Sequence, residues 1–136
     1  MKSRHVLIMG VTTLLCVTPI AQAGVSQPWD VEVNFEEGYA SGDLQSARWD
    51  FHDNVFIGCN AQTHILSDDF RFDYGYCQAE DSNGDFVFCS THDSDLVGRM
   101  SALNDTSWIS FYFHGNEKDG YTCTSVKSST TSFYLR

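Results

Sequence analysis

The chain has 136 residues, a net charge of −10 at pH 7 and 14% aromatic side chains. That length suits one small domain with a modest core. The acid excess repels nucleic-acid phosphates and anionic lipid, so nucleic acid is excluded as a partner. It favours solubility, a cation or a basic ligand.

Residues 1–23 read as a secretory signal peptide. Lys2 and Arg4 give a basic start. Val6 to Val17 is an apolar run of about a dozen residues, too short to span a bilayer comfortably. Pro19 interrupts the leader, and Ala21-Gln22-Ala23 supplies an A-x-A cleavage site. Cys16 is preceded by Leu15 rather than the small residue that lipidation requires. No later run is long and apolar enough for a membrane span. The expected mature chain is a single domain, residues 24–136, secreted or periplasmic. Loss of Lys2 and Arg4 with the leader takes its net charge from −10 to −12.

Residues 24–50 are less regular. Val31, Val33 and Phe35 alternate with Glu32, Asn34 and Glu36, as in a half-buried strand. Gly38 to Ser46 reads as a loop. Beyond residue 50 the strand signals strengthen. Asn54–Cys59 places Val55, Ile57 and Cys59 on one face, and Phe70–Glu80 and Asp85–Thr91 are rich in aromatic and β-branched residues. Ser107–His114, Tyr121–Lys127 and Ser132–Leu135 complete the strands, separated by turn chemistry at 81–84, 114–116 and 119–120.

One helix is expected over about 93–104. Asp93 can cap it, Asp95 suits the positive end of its dipole, and Leu96, Val97, Met100 and Leu103 recur at helical spacing. The expected fold is therefore mainly β: one small antiparallel sheet or sandwich with a single short helix.

Without Cys16, four cysteines remain in the mature chain: Cys59, Cys77, Cys89 and Cys123. An even number in a small exported chain points to two disulfides, and the absence of C-x-x-C pairs argues against zinc. If the turn after Glu80 is centred on Asn83, with Gly84 supplying a positive φ, Cys77 falls opposite Cys89. Directly opposed strand residues have Cβ atoms about 4.5–5.5 Å apart, close to disulfide geometry. Bonds Cys77–Cys89 and Cys59–Cys123 are expected. Asp81, Asn83 and Asp85 alternate like the start of a calcium loop. That loop's glycine and terminal glutamate are missing, since His92 occupies the twelfth position, so a solvated turn is expected.

The chain resembles a group of small exported, disulfide-bonded bacterial β-domain proteins of unknown function. The resemblance rests on Ser46-Ala47-Arg48, Phe56-Ile57-Gly58-Cys59, Cys77-Gln78-Ala79-Glu80-Asp81 and Cys89-Ser90. It continues through Asp93-Ser94-Asp95-Leu96-Val97, Trp108-Ile109-Ser110-Phe111 and Tyr121-Thr122-Cys123-Thr124. It covers about Ser46 to Val126. The group often has arginine where Glu80 stands and proline where Ser94 stands. The resemblance implies a secreted, disulfide-bonded β domain and transfers no catalytic residue.

Three kinds of site are open to such a chain. No serine sits in a G-x-S-x-G elbow, and the acids are scattered, so catalytic residues are not evident. His92 with Asp93 and Asp95 is the first choice for a metal, although no H-x-H or H-x-x-x-H spacing supports it. The third feature is aromatic. The hairpin register puts Cys77, Ala79, Val87 and Cys89 on one face, and Phe72, Tyr74, Tyr76, Phe86 and Phe88 on the other with Gln78 and Glu80. Either that second face is open, as a platform for sugars or apolar ligands, or a second sheet or the helix covers it.

The reading favoured is a noncatalytic exported binding or interaction protein needing no cofactor, its partner a small molecule, a glycan or a protein. The alternatives are a small secreted hydrolase or hydrolase inhibitor, and a periplasmic metal-binding protein.

Overall fold

The structure, a computed structural model, describes residues 28–52, 54–67, 70–105 and 107–131. The expected leader and the expected strand Ser132–Leu135 lie outside the described residues. Among those described, the chain runs β1 (Glu32–Asn34), β2 (Tyr39–Asp43), α1 (Leu44–Arg48), β3 (Phe56–Ser67), β4 (Phe70–Glu80), β5 (Phe86–Thr91), α2 (Ser94–Ser101), β6 (Trp108–Asn116) and β7 (Gly120–Ser129). The strands form one seven-stranded sheet in the order β1-β2-β6-β7-β5-β4-β3.

The mainly β expectation holds, with three refinements, the first being a second short helix, α1, beside the single one expected. There is one sheet rather than a sandwich, and it is mixed, because β5 and β7 run parallel. The cause is connectivity. β5 leads through α2 into β6, which takes β2 on one side and β7 on the other. β7 then returns beside β5 and joins the two antiparallel blocks.

The hairpin β4–β5 forms as its sequence demands. Gly84 has φ +83° and donates its N–H to the Asp81 carbonyl. That closes the turn, and Cys77 falls opposite Cys89. Alternation then sorts the side chains. Cys77, Ala79, Val87 and Cys89 are fully buried, alongside Ile109 and Phe111 of β6.

The disulfide pairing differs from the expectation. Cys59 is bonded to Cys77, and Cys89 to Cys123. Cys77 does lie opposite Cys89, but β3 runs to Ser67 and pairs along all of β4. Cys77 therefore lies in a central strand with a cysteine on each side, Cys59 opposite on β3 and Cys89 opposite on β5. It bonds to Cys59, and Cys89 turns to Cys123 on the parallel β7 neighbour.

The expected loop at 38–46 is instead β2 and the start of α1. Its small residues, Ala40, Ser41, Gly42 and Asp43, are all buried. A Cβ on Gly42 would lie 2.9 Å from Val31 Cγ2 and 3.1 Å from Val31 Cα. The segment looks like a loop because close approach demands small residues, which have low strand propensity. Asp43 then caps α1, accepting from the Gln45 N–H (3.0 Å) and the Ser46 hydroxyl (2.8 Å).

α2 is the expected helix, shorter at its end. The Asp93 carboxylate accepts from the N–H groups of Asp95 and Leu96, both at 3.0 Å, and the helix stops at Ser101. It buries Val97 and Met100 against the inner face of β4. A Cβ on Gly75 would lie 2.5 Å from Met100 Sδ and 3.1 Å from Val97 Cγ2.

Candidate functional site

With α2 on the inner face, the outer face of β3-β4-β5 is uncovered by any described element. Phe72, Tyr74 and Tyr76 project from β4, Phe86 and Phe88 from β5. The rings touch in sequence. Tyr76 stacks on Phe88 with centroids 5.3 Å apart, and Tyr74 lies 6.1 Å from Tyr76. Phe86 and Phe88 are 49% and 39% exposed, while Tyr74 and Tyr76 are half-buried by their neighbours. Of the two covers considered for this face, no second sheet is present among the described residues, and α2 lies on the opposite side.

β3 extends the row. His64 stacks on Phe72 at 4.8 Å, and Phe56 lies 6.2 Å from Phe86. The expected strand ends at Cys59, short of the outward positions of β3, which runs to Ser67. The signal was present in the alternation of Asn60, Gln62 and His64 with Ala61, Thr63 and Ile65, but its polar character resembled a loop. Beside the rings, Phe86 and Phe88 form one wall of an open groove of about 350 Å³, completed by Glu117, Gly120 and Tyr121. Pockets for small ligands usually span about 300–1,000 Å³.

His92, Asp93 and Asp95 are not brought together as metal ligands. Asp93 is spent on the helix cap. His92 swings to the aromatic row, its ring 5.4 Å from Tyr74 and 6.2 Å from Phe72, with Nδ1 3.1 Å from the Asp73 carbonyl oxygen. Among the described residues no three His, Cys, Asp or Glu side chains converge on a metal position. In the expected turn, Asp81 Oδ1 accepts from the N–H groups of Asn83 (2.8 Å) and Asp85 (3.2 Å), so the backbone already occupies that oxygen.

The hydrolase alternative has one geometric counterpart. His52 Nδ1 lies 2.7 Å from Asp50 Oδ1, and the two residues share a pocket of about 200 Å³ with Ser82. The His52 N–H, then its ring, hold the Asp50 carboxyl below its ordinary value. The arrangement falls short of a triad. Among the described residues Ser82 makes no hydrogen bond to His52, and the His52 side chain is 56% exposed, so water is not excluded.

No family model, curated protein or solved structure matches the chain.

Proposed function

We propose that this chain is an exported, noncatalytic binding protein whose ligand stacks on the aromatic face of β3-β4-β5. One observation carries the reading: Phe72, Tyr74, Tyr76, Phe86 and Phe88 share one sheet face on which no described element packs. Large aromatic rings normally stay in the interior, and a contiguous set left half-buried or exposed on a small domain marks an interaction surface. A sheet linked by two disulfides holds those rings in place without ligand, which lowers the ordering cost of binding. The disulfides suit an oxidising compartment, in keeping with the leader at residues 1–23. Among the described residues no helix is long and apolar enough to cross a membrane.

The test is an array of immobilised glycans and peptides probed with the exported protein. Whatever ligand the wild type retains should be lost in Tyr76→Ala and in Phe88→Ala. It should also be recovered chemically intact after incubation. Retention that survives both substitutions would rule out the face as the site.

A further inference from the structure

The rings of this face do not stand alone. β3 sets Asn60 opposite Tyr76 and Gln62 opposite Tyr74. On the other flank β5 sets Phe88 opposite Gln78 and Ser90 opposite Tyr76. Aromatic rings and amides therefore alternate across three strands. At Gly58, opposite Gln78, the row is notched, and a Cβ built there meets no atom within 4 Å. The amides of the face are also uncommitted. The side chains of Asn60, Gln62 and Gln78 make no hydrogen bond to another described residue. Asn34, Asn54 and Asn116, by contrast, are engaged by Glu37, Glu80 and Lys118 respectively.

Charge is excluded from the middle of this surface. The chain has 18 acidic residues. None projects from the patch formed by Gly58, Asn60, Gln62, Tyr74, Tyr76, Gln78, Phe88 and Ser90, and Glu117 borders it only at the groove beside Phe88. Glu80 marks one end, where Asn54 Nδ2 donates to it, and His64 and His92 mark the other. Asp73 belongs to the opposite alternation, where its carboxylate accepts from Thr63 at 2.7 Å and pairs with Arg71 at 3.3 Å. No lysine or arginine projects from the described outer face of β3-β4-β5.

We infer that the ligand of this face is an uncharged glycan laid along β4, its sugar rings against Tyr74, Tyr76 and Phe88 and its hydroxyls bonded by Asn60, Gln62 and Gln78. The inference rests on the binding reading above and narrows it to one ligand class. A pyranose offers apolar C–H faces to aromatic rings and a rim of hydroxyls that both donate and accept. An amide carries both an acceptor oxygen and donor hydrogens, so it meets a hydroxyl in either role. Anionic glycans call for arginine or lysine, which this face lacks, and the surrounding acidic surface repels them. An apolar protein partner would require desolvating three amides without partners, which is costly.

Affinity electrophoresis tests this in gels containing hydroxyethylcellulose, galactomannan or mixed-linkage β-glucan, beside carboxymethylcellulose and polygalacturonate as anionic counterparts. The wild type should be retarded by at least one neutral polysaccharide and by neither anionic one. Tyr76→Ala should weaken retention roughly threefold to tenfold, as expected for one aromatic contact. Gln78→Ala and Gln62→Ala should each weaken it by about the same factor, as expected for one hydrogen bond. Gln62 is exposed, so its substitution leaves the fold intact even if Gln78→Ala does not. Stronger retention by the anionic gels, neutral retention indifferent to all three variants, or passage through every neutral gel overturns the glycan inference. If no neutral gel retains the protein but an immobilised peptide does, and Tyr76→Ala abolishes it, only the glycan inference falls. Indifference of every retained ligand to Tyr76→Ala overturns the binding-face reading too.

Discussion

Val33 donates its backbone N–H to Oδ2 of Asp81, 48 residues further along the chain, at 3.4 Å. The other oxygen of the same carboxylate holds the β4–β5 turn through Asn83 and Asp85. One buried side chain, 4% exposed, thus ties the first strand to the hairpin that carries the aromatic face. The sheet order places β1 at one edge and β4 next to the other, so this bond draws the two ends of the sheet together.

Asp81→Ala should therefore cost at least about 2 kcal/mol, because three backbone donors lose their acceptor at once. Millimolar calcium should leave the wild-type Tm within about a degree, since binding to the native state would raise it by mass action. Thermal unfolding of both proteins with calcium and with chelator checks this. A calcium-dependent rise of several degrees that Asp81→Ala abolishes would show a cation site in the turn.

Non-reducing peptide mapping should recover Cys59 joined to Cys77, and Cys89 joined to Cys123. On the chain-entropy model, closing 18 residues stabilises by roughly 3 kcal/mol and closing 34 by roughly 4. Replacing Cys89 and Cys123 by serine together should accordingly destabilise slightly more than replacing Cys59 and Cys77. A Cys77–Cys89 peptide in the map would mean that the central strand chooses its other neighbour.

Gly75 offers a steric test of which face α2 covers. Gly75→Ala forces a methyl against Met100 and Val97, and overpacking of that kind typically costs about 1–3 kcal/mol. Shortening Met100 to alanine in the same protein should recover part of the loss relative to Met100→Ala alone. If Gly75→Ala is neutral, α2 does not sit on the inner face and the case for an open outer face weakens.

The parts of this fold legible in the sequence were those governed by local chemistry. Gly84 and the alternation around it define the β4–β5 hairpin, and Asp93 announces α2. What escaped was set by neighbours distant in sequence. β2 is a strand of small residues because Val31 and Ile57 press on Gly42, a contact no local pattern reveals. The disulfides followed from β3 pairing along β4, so a correct opposition of Cys77 and Cys89 still yielded the wrong bonds. The aromatic face was half visible. Its rings were read from β4 and β5, whereas its amides on β3 were hidden in a segment whose polarity reads as loop.

Asp73 supplies a pH dependence. The Thr63 hydroxyl, and after it Arg71, hold its carboxyl below the ordinary value of 3.8. A carboxyl depressed in the folded state binds fewer protons there than when unfolded, so its contribution is present above about pH 4. It is lost as the pH falls through the depressed folded value. Melting temperatures of the wild type and Asp73→Asn should differ near neutrality and converge under strongly acidic conditions. A difference that persists unchanged to low pH would assign the effect to packing.

Tyr76 and Phe111 lie on opposite sides of the same sheet, and truncating them should have unequal consequences. Phe111 is fully buried, and Phe111→Ala should cost roughly 3–5 kcal/mol through lost transfer energy and a residual cavity. Tyr76 is half-buried on the outer face, where it gives up one ring contact with Phe88 and part of one with Tyr74. Tyr76→Ala should cost only about 1 kcal/mol, in line with a single aromatic pair on a sheet surface. For a domain of this size that is a fall in Tm of roughly 3–6 °C, against an effect several times larger for Phe111→Ala. Two melting curves decide the matter before any ligand is known. Equal losses would mean that Tyr76 is covered in the folded protein, and the aromatic face would then be interior rather than a place where a ligand can stack.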